Sequence, residues 1–307
     1  MERLSGRAAL VTGAASGIGA AVSKRLASFG MIVYGCDCDA EGLKRVELEI
    51  EATAGKPAAE HLPPPTETIE PTTADIIHQY RTSVSTEVGR LVPLVCDLRK
   101  EDEISNMFRI IKEKSGCVAV CVMSAGIGHK APLLEGASSM FRSMFEVNVL
   151  STVLCAQSCV KLMRERGVDD GHLVIINSGA GHSVRVGRPD YADFNFYNAT
   201  KYALTAITEG LRFELRLAKS NTRISQISPG LVETNFTHSM YPDQGHIIDM
   251  LYQCVQTLKP NDVADAVIHI LSRPAHVQVH DIHLDTIGPD RPANWEKKVA
   301  AAQAKAV

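Results

Sequence analysis

Short apolar runs at 8–11, 31–35, 91–96, 118–123, 173–177, 223–228 and 277–284, the last two interrupted by polar residues, alternate with longer stretches whose apolar residues recur three and four positions apart. Runs of that length predict strands, and the three-and-four spacing predicts helices with one apolar face. Most runs are continuous rather than strictly alternating, so each strand is expected to be buried on both faces. Helices covering a parallel sheet produce that pattern. The predicted architecture is α/β, a doubly wound parallel sheet flanked by helices. One segment breaks the rhythm: 55–89 is rich in Pro, Thr, Ala and Glu with little apolar periodicity, and is expected to be a partly disordered insert. It precedes a strand, so it should join the sheet at that strand's amino end, away from the carboxyl edge where ligands bind in open sheets. A passive surface insertion and a partner-binding segment are both open readings of it. The polar, Ala/Lys-rich tail at 290–307 is expected to fray. No internal repeat is visible, and residues 1–307 are read as one domain.

The apolar fraction of 45% can supply a substantial core. The balance of 32 basic against 35 acidic residues, without long like-charge blocks, offers no surface for a polyanion, so nucleic acid is not expected as a partner. No uninterrupted apolar run approaches the ~20 residues that span a bilayer, and the amino terminus lacks a signal-peptide pattern. A cytoplasmic protein with reduced thiols is therefore expected. Its eight cysteines are scattered through apolar segments without metal-ligand spacing, and Cys155 and Cys159, four apart on a predicted helix, read as buried thiols. No metal centre is nominated.

Candidate chemistry begins directly after the first predicted strand, at Thr12-Gly13-Ala14-Ala15-Ser16-Gly17-Ile18-Gly19, with a helical pattern following. Glycines let the backbone turn sharply and approach a pyrophosphate, while the helix amino terminus, opened by Ser16, Gly17, Ile18 and Gly19, presents unpaired N–H groups to the anion. Such a turn in a strand-turn-helix context predicts a Rossmann-type dinucleotide site. Asp37, about twenty residues on at the end of the second strand, can accept hydrogen bonds from adenosine ribose hydroxyls. A 2′-phosphate would meet like charge there, and Ala14, Ala15 and Cys38 offer no cation, so NAD is favoured with NADP possible. Asp97, after the third strand, is a candidate for the adenine amino group; as an acidic strand end, it is also an ordinary solvated residue.

The segment Phe196-Tyr197-Asn198-Ala199-Thr200-Lys201 sets a phenol and an ammonium at i and i+4 on one helix face. A nearby cation favours the phenolate, which would bring Tyr197 toward a working pKa for proton exchange with an alcohol or carbonyl oxygen. Such a pair is also common on solvated helices. Ser178, just past a buried-type strand, can hydrogen-bond the reacting oxygen at the carboxyl edge. Asn148 sits in an apolar helical run, where its amide needs a partner such as water or backbone. The region 235–258, with Phe236, Met240, Tyr241, Met250 and Leu251, reads as a mobile apolar lid or as an ordinary surface helix pair.

The glycine turn, Asn148, Ser178, the Tyr197/Lys201 pair and Ser228-Pro229-Gly230 stand in the order found in short-chain dehydrogenases/reductases, which the sequence resembles over 6–284 apart from the insert. More narrowly, NSGAGH, FYNATKYALTAITEGLRFELR and ISPGLVET are similar to the farnesol dehydrogenase-like branch, which includes the dehydrogenase/reductase family member 11 type. The resemblance implies an NAD(P)-dependent oxidoreductase of isoprenoid alcohols or keto-steroids. It makes Tyr197 the acid/base, with Lys201 lowering its pKa and binding the nicotinamide ribose. Ser178 would position the substrate oxygen, and Asn148 would hold a proton-relay water. Pro229, Gly230 and Thr234 would lie beside the nicotinamide. It also implies a homodimer or homotetramer paired through the helices around 148–164 and 197–217. Ala125 and Gly126 would contact the cofactor, but Ser124 replaces the family's usual Asn, which puts the bracing of that sheet edge in question. A catalytically idle dinucleotide-binding module using its insert to engage a partner is the competing reading.

Overall fold

The structure is a computed structural model that describes residues 1–53, 89–184, 189–288 and 299. The expectations for the insert at 55–89 and the tail at 290–307 fall almost entirely outside the described residues.

Seven parallel strands form one sheet in the order β3-β2-β1-β4-β5-β6-β7. They are β1 (Ala8–Thr12), β2 (Ile32–Asp37), β3 (Arg90–Val95), β4 (Val120–Met123), β5 (His172–Ile176), β6 (Arg223–Pro229) and β7 (Asp281–Leu284). Every predicted strand is present; the last is shorter than its apolar run because 277–280 enters it as an irregular segment. The order reverses between β1 and β4, and this switch point opens a crevice at the carboxyl ends of the strands.

Continuous apolarity has a direct structural cause here. Side chains of a strand alternate between faces, and both faces are covered, so Ala9 and Val11 enter one core while Ala8 and Leu10 enter the other. Helices α1 (Gly17–Ser28), α2 (Ala40–Thr53) and α9 (Pro260–Ser272) cover the first face. The second is covered by α3 (Glu101–Ser115), α5 (Ser151–Glu165) and α6 (Asn195–Leu217). Cys155 and Cys159 are buried on α5 within that second core.

The helix entering α5 begins as α4 (Ser138–Phe145) and widens into one π-helical turn at Glu146–Leu150 before continuing. By length and composition alone, Ser138–Glu165 is apolar enough to cross a membrane, and among the described residues it is the one such helix. Its apolar side chains instead meet the sheet, with Cys155, Ala156, Cys159, Leu162 and Met163 all buried there. The segment following β6 forms α7 (Asn235–Met240), a short 3-10 turn and α8 (Gly245–Cys254).

Candidate active site

Gly13 and Gly17 adopt left-handed backbone conformations, with φ of +68° and +51°. A Cβ on Gly13 would fall 2.9 Å from Cα of Ala125, so glycine serves both the turn and the close approach of the chain leaving β4. Ser16 is the N-cap of α1 but makes no side-chain capping bond, leaving the first N–H groups of the helix available to an anion. Thr12 Oγ1 accepts N–H bonds from Ser124 and Ala125, both at 3.1 Å. The bracing between β1 and β4 that Ser124 put in question is thus made through a threonine hydroxyl and main-chain donors.

Asp37 stands at the rim of this turn. Its carboxylate accepts the N–H of Ala15 at 3.0 Å and that of Asp39 at 3.1 Å, which fixes it against the phosphate loop. Asp97, which also lines the cleft, is held by an arginine. Arg99 grips both of its oxygens, Nε to Oδ1 at 2.9 Å and Nη2 to Oδ2 at 2.6 Å, and these hydrogen bonds pull the carboxyl pKa down to about 2. Arg99 also lines the cleft, as do Asp37 and Cys38, while Arg45 donates to the Ala15 carbonyl at 3.1 Å. Ala14, Ala15 and Cys38 carry no cation, but Arg99 lines the cleft and Arg45 bonds the glycine turn from outside it.

Glycine turn, strand ends and the α7–α8 segment enclose one cleft of about 910 Å³. Ser178 enters it from the end of β5, and its Oγ caps a short 3-10 turn by accepting from Ala180 N at 3.1 Å. Gly181 closes that turn against α6: a Cβ there would lie 2.7 Å from Asn177 Nδ2 and 2.8 Å from the Lys201 carbonyl. Tyr197 and Lys201 are both buried on α6, facing the same cleft, and Ser178 hydrogen-bonds the Tyr197 phenol. Lys201 Nζ donates to the Ile176 carbonyl at 3.0 Å and lies 5.7 Å from the centre of the Tyr197 ring. Phe236 of α7 packs on the other side of that ring, 5.3 Å between centroids.

Burial raises the Tyr197 phenol above its ordinary value, and the Ser178 hydrogen bond offsets only part of that rise. Burial also lowers the Lys201 ammonium to about 8. In this enclosed pocket, loss of water acts against the charged form of both groups.

Asn148 occupies the π-helical turn. Its Oδ1 accepts the Ile127 N–H at 2.8 Å, while Nδ2 donates to the Ile127 carbonyl at 2.9 Å and to Thr200 Oγ1 at 3.0 Å. Both amide protons are used and one Oδ1 lone pair remains. A Cβ on Gly126 would sit 3.5 Å from that oxygen and 3.9 Å from Lys201 Nζ, so the glycine keeps open the space between them. Ala125 and Gly126 line the cleft, as do Ser16, Ile18, Pro229 and Gly230. Thr234 caps α7 by accepting from Phe236 N at 3.3 Å, and its methyl group borders Gly17. All the nominated residues therefore surround one cleft or, for Asn148, support its wall.

Arg99, Gly181 and the pair Lys130–Asp193, whose atoms approach to 3.6 Å at the cleft, were not singled out from sequence. Arg99 follows Asp97 by two positions and could have been weighed; Gly181 carries no local signal.

Two family models match the chain: one described as enoyl-(acyl carrier protein) reductase over residues 72–286, and one described as short chain dehydrogenase over 7–63. The chain belongs to the short-chain dehydrogenase/reductase family, and is an NAD(P)-dependent oxidoreductase of the alcohol dehydrogenase/carbonyl reductase kind. Within the family it is 40% identical to Dehydrogenase/reductase SDR family member 11 of Gallus gallus, covering 92% of this chain and 97% of that one. It is 36% identical to Farnesol dehydrogenase of Aedes aegypti, covering 94% and 99%. Among solved structures it is similar to the closed form of serine dehydrogenase complexed with NADP+ (TM-score 0.70, 22% identity, 92% and 94% covered). It is also similar to a metagenomic short-chain oxidoreductase in complex with NADP (TM-score 0.64, 23% identity, 92% and 97% covered). At these identities the structural likeness speaks for the fold.

The lowered Lys201 pKa gives stability a pH signature. Between about 8 and the ordinary value of 10.5 the unfolded chain holds a proton on Lys201 that the folded chain has lost, so this residue's contribution to stability rises with pH through that window. Compared with a Lys201→Met variant at equal protein concentration, the parent should gain up to roughly 3 kcal/mol from pH 8 to 10.5. Denaturant unfolding of both proteins measures it, and parallel pH curves would show that burial does not shift this lysine.

Proposed function

We propose that the protein interconverts an apolar secondary or allylic alcohol and its carbonyl, with Tyr197 exchanging the proton. The observation that carries this reading is the convergence of Tyr197, Ser178 and Lys201 on the cleft that the glycine turn opens. The glycine turn, the uncapped start of α1 and Asp37 would hold the dinucleotide's pyrophosphate and adenosine ribose. Lys201 would hold the nicotinamide ribose, and Thr234 the carboxamide. When bound, the nicotinamide supplies or accepts a hydride.

The chain's own groups handle the oxygen. Ser178 Oγ and the Tyr197 phenol face the same cleft, where each would donate to a carbonyl oxygen seated between them. Tyr197 then gives up or takes the proton at that oxygen. Asn148 Oδ1 and Lys201 Nζ flank the space beside Gly126, where a water can pass the proton onward. Phe194, Phe236, Ile247, Ile248 and Leu251 form an apolar wall, so a greasy chain or ring system fits better than a sugar or a charged acid. The name of the Aedes aegypti relative supports the isoprenoid end of this class; a hydroxy- or keto-steroid fits the same wall.

For the cofactor, the main-chain bonds that fix the Asp37 carboxylate at the loop favour NAD. Arg99 is committed to Asp97, and Arg45 to a main-chain carbonyl. Exposed apolar residues on adjoining helices, Phe145 and Leu150 on one side and Tyr202, Phe213 and Leu217 on α6, support pairing with a second copy.

Replacing Tyr197 with Phe should lower kcat/KM by about 100-fold or more across a panel of isoprenoid, aliphatic and steroid alcohols while leaving the cofactor Kd unchanged. Undiminished turnover removes Tyr197 from the proton path, and cofactor binding without turnover of any substrate favours an idle module. Equilibrium titration should give a lower Kd for NADH than for NADPH, and the reverse order would mean that the arginines outweigh Asp37. Multi-angle light scattering should report at least a dimer; a monomer at working concentration refutes the pairing.

A further inference from the structure

Outside the cleft, three side chains with metal-ligating atoms converge at the sheet edge. Register brings two of them together: Gln226 of β6 pairs with Asp281 of β7, and Ser228 with His283. Residues two apart in a strand point to the same face, so these four side chains form one polar patch on adjacent strands. The third ligand comes from His182, which ends the 3-10 turn that begins at Ser178. His182 Nε2 lies 3.1 Å from Asp281 Oδ2, and His283 Nε2 lies 3.0 Å from the same oxygen. The two imidazoles pack 4.2 Å apart, and one ligand atom from each of the three residues falls within 4.8 Å of the others.

Tetrahedral zinc, with bonds of about 2.0–2.1 Å, holds neighbouring ligand atoms roughly 3.3 Å apart. The observed nitrogen-to-oxygen separations differ from that edge by a few tenths of an ångström, a difference that side-chain rotation can absorb. The carboxylate is oriented from behind as well: Gln226 Nε2 donates to Asp281 Oδ2 at 2.7 Å and Ser228 Oγ to Oδ1 at 2.9 Å. Ser228 Oγ also lies 2.9 Å from His182 Nε2, and Gln226 Nε2 lies 3.3 Å from it, so the two residues that orient the carboxylate also position this imidazole. Two imidazoles and one carboxylate suit a borderline transition ion rather than calcium or magnesium. With His283 more than half exposed, the fourth position is open to water.

We propose that His182, Asp281 and His283 bind a divalent transition ion of the zinc type, which fastens the Ser178 turn to strands β6 and β7. Sequence spacing could not nominate it, because the ligands come from two elements about a hundred residues apart.

The test uses the full, untagged chain after treatment with a chelator. Calorimetric titration with Zn(II) should show one ion bound per chain, with a rise in Tm of roughly 3 °C or more at saturation. Co(II) in its place should give the visible absorption of a four-coordinate site. His283→Ala, at an exposed position, should weaken Zn(II) binding by about tenfold or more and abolish the Co(II) bands while the circular dichroism is unchanged. Asp281→Asn should do the same, which guards against a fold effect peculiar to one variant. Failure to bind Zn(II) stoichiometrically, or equal binding by parent and His283→Ala, overturns the proposal and leaves a proton-held His–Asp–His network.

Discussion

The hydrogen bond from Lys201 Nζ to the Ile176 carbonyl, 3.0 Å long and buried, ties the reacting face of α6 to the end of β5. An ammonium out of water is costly, and this bond to a strand-end carbonyl is part of what makes the position tolerable. Because β5 also delivers Ser178 two residues later, the same contact sets the height of the phenol against the serine hydroxyl. Gly181 lets the intervening turn lie directly on α6, where any Cβ would strike Asn177 and the Lys201 main chain. The arrangement of Ser178, Tyr197 and Lys201 therefore depends on a strand-to-helix approach distance more than on any loop.

That approach distance also explains the altered electrostatics. Close packing excludes water from Tyr197 and Lys201 alike, and each is driven toward its neutral form. A phenol kept protonated is a ready donor to a carbonyl oxygen, whereas proton removal from an alcohol needs the charged form that burial opposes.

Much of this organisation was legible in the residues because strands and their ends announce themselves locally. The seven apolar runs marked the sheet, Gly13 and Gly17 marked a backbone that other residues resist, and the i, i+4 spacing put Tyr197 and Lys201 on one face. What escaped was whatever depends on distance in space. The i, i+4 pair could not reveal how deeply its two groups are buried, since burial is a property of packing around the helix. Asp97 was visible as a strand-end carboxylate, but its capture by Arg99 is a side-chain rotamer and leaves no periodic trace.

Asn148 joins both limits in one residue. An amide in an apolar helical run is recognisable in sequence as a group needing partners, yet its partners lie on a segment twenty-one residues earlier and on α6. To present its side chain to the Ile127 main chain, the helix opens into a π turn, a local geometry usually sustained only where other contacts over-determine it. Here those contacts are the paired bonds to Ile127 and the bond to Thr200, one turn from Tyr197 and adjacent to Lys201. The helix irregularity is therefore coupled to the reacting helix through a single amide. Shortening that side chain would leave the Ile127 N–H and carbonyl without their partner and allow the π turn to relax, displacing the wall against which Tyr197 packs.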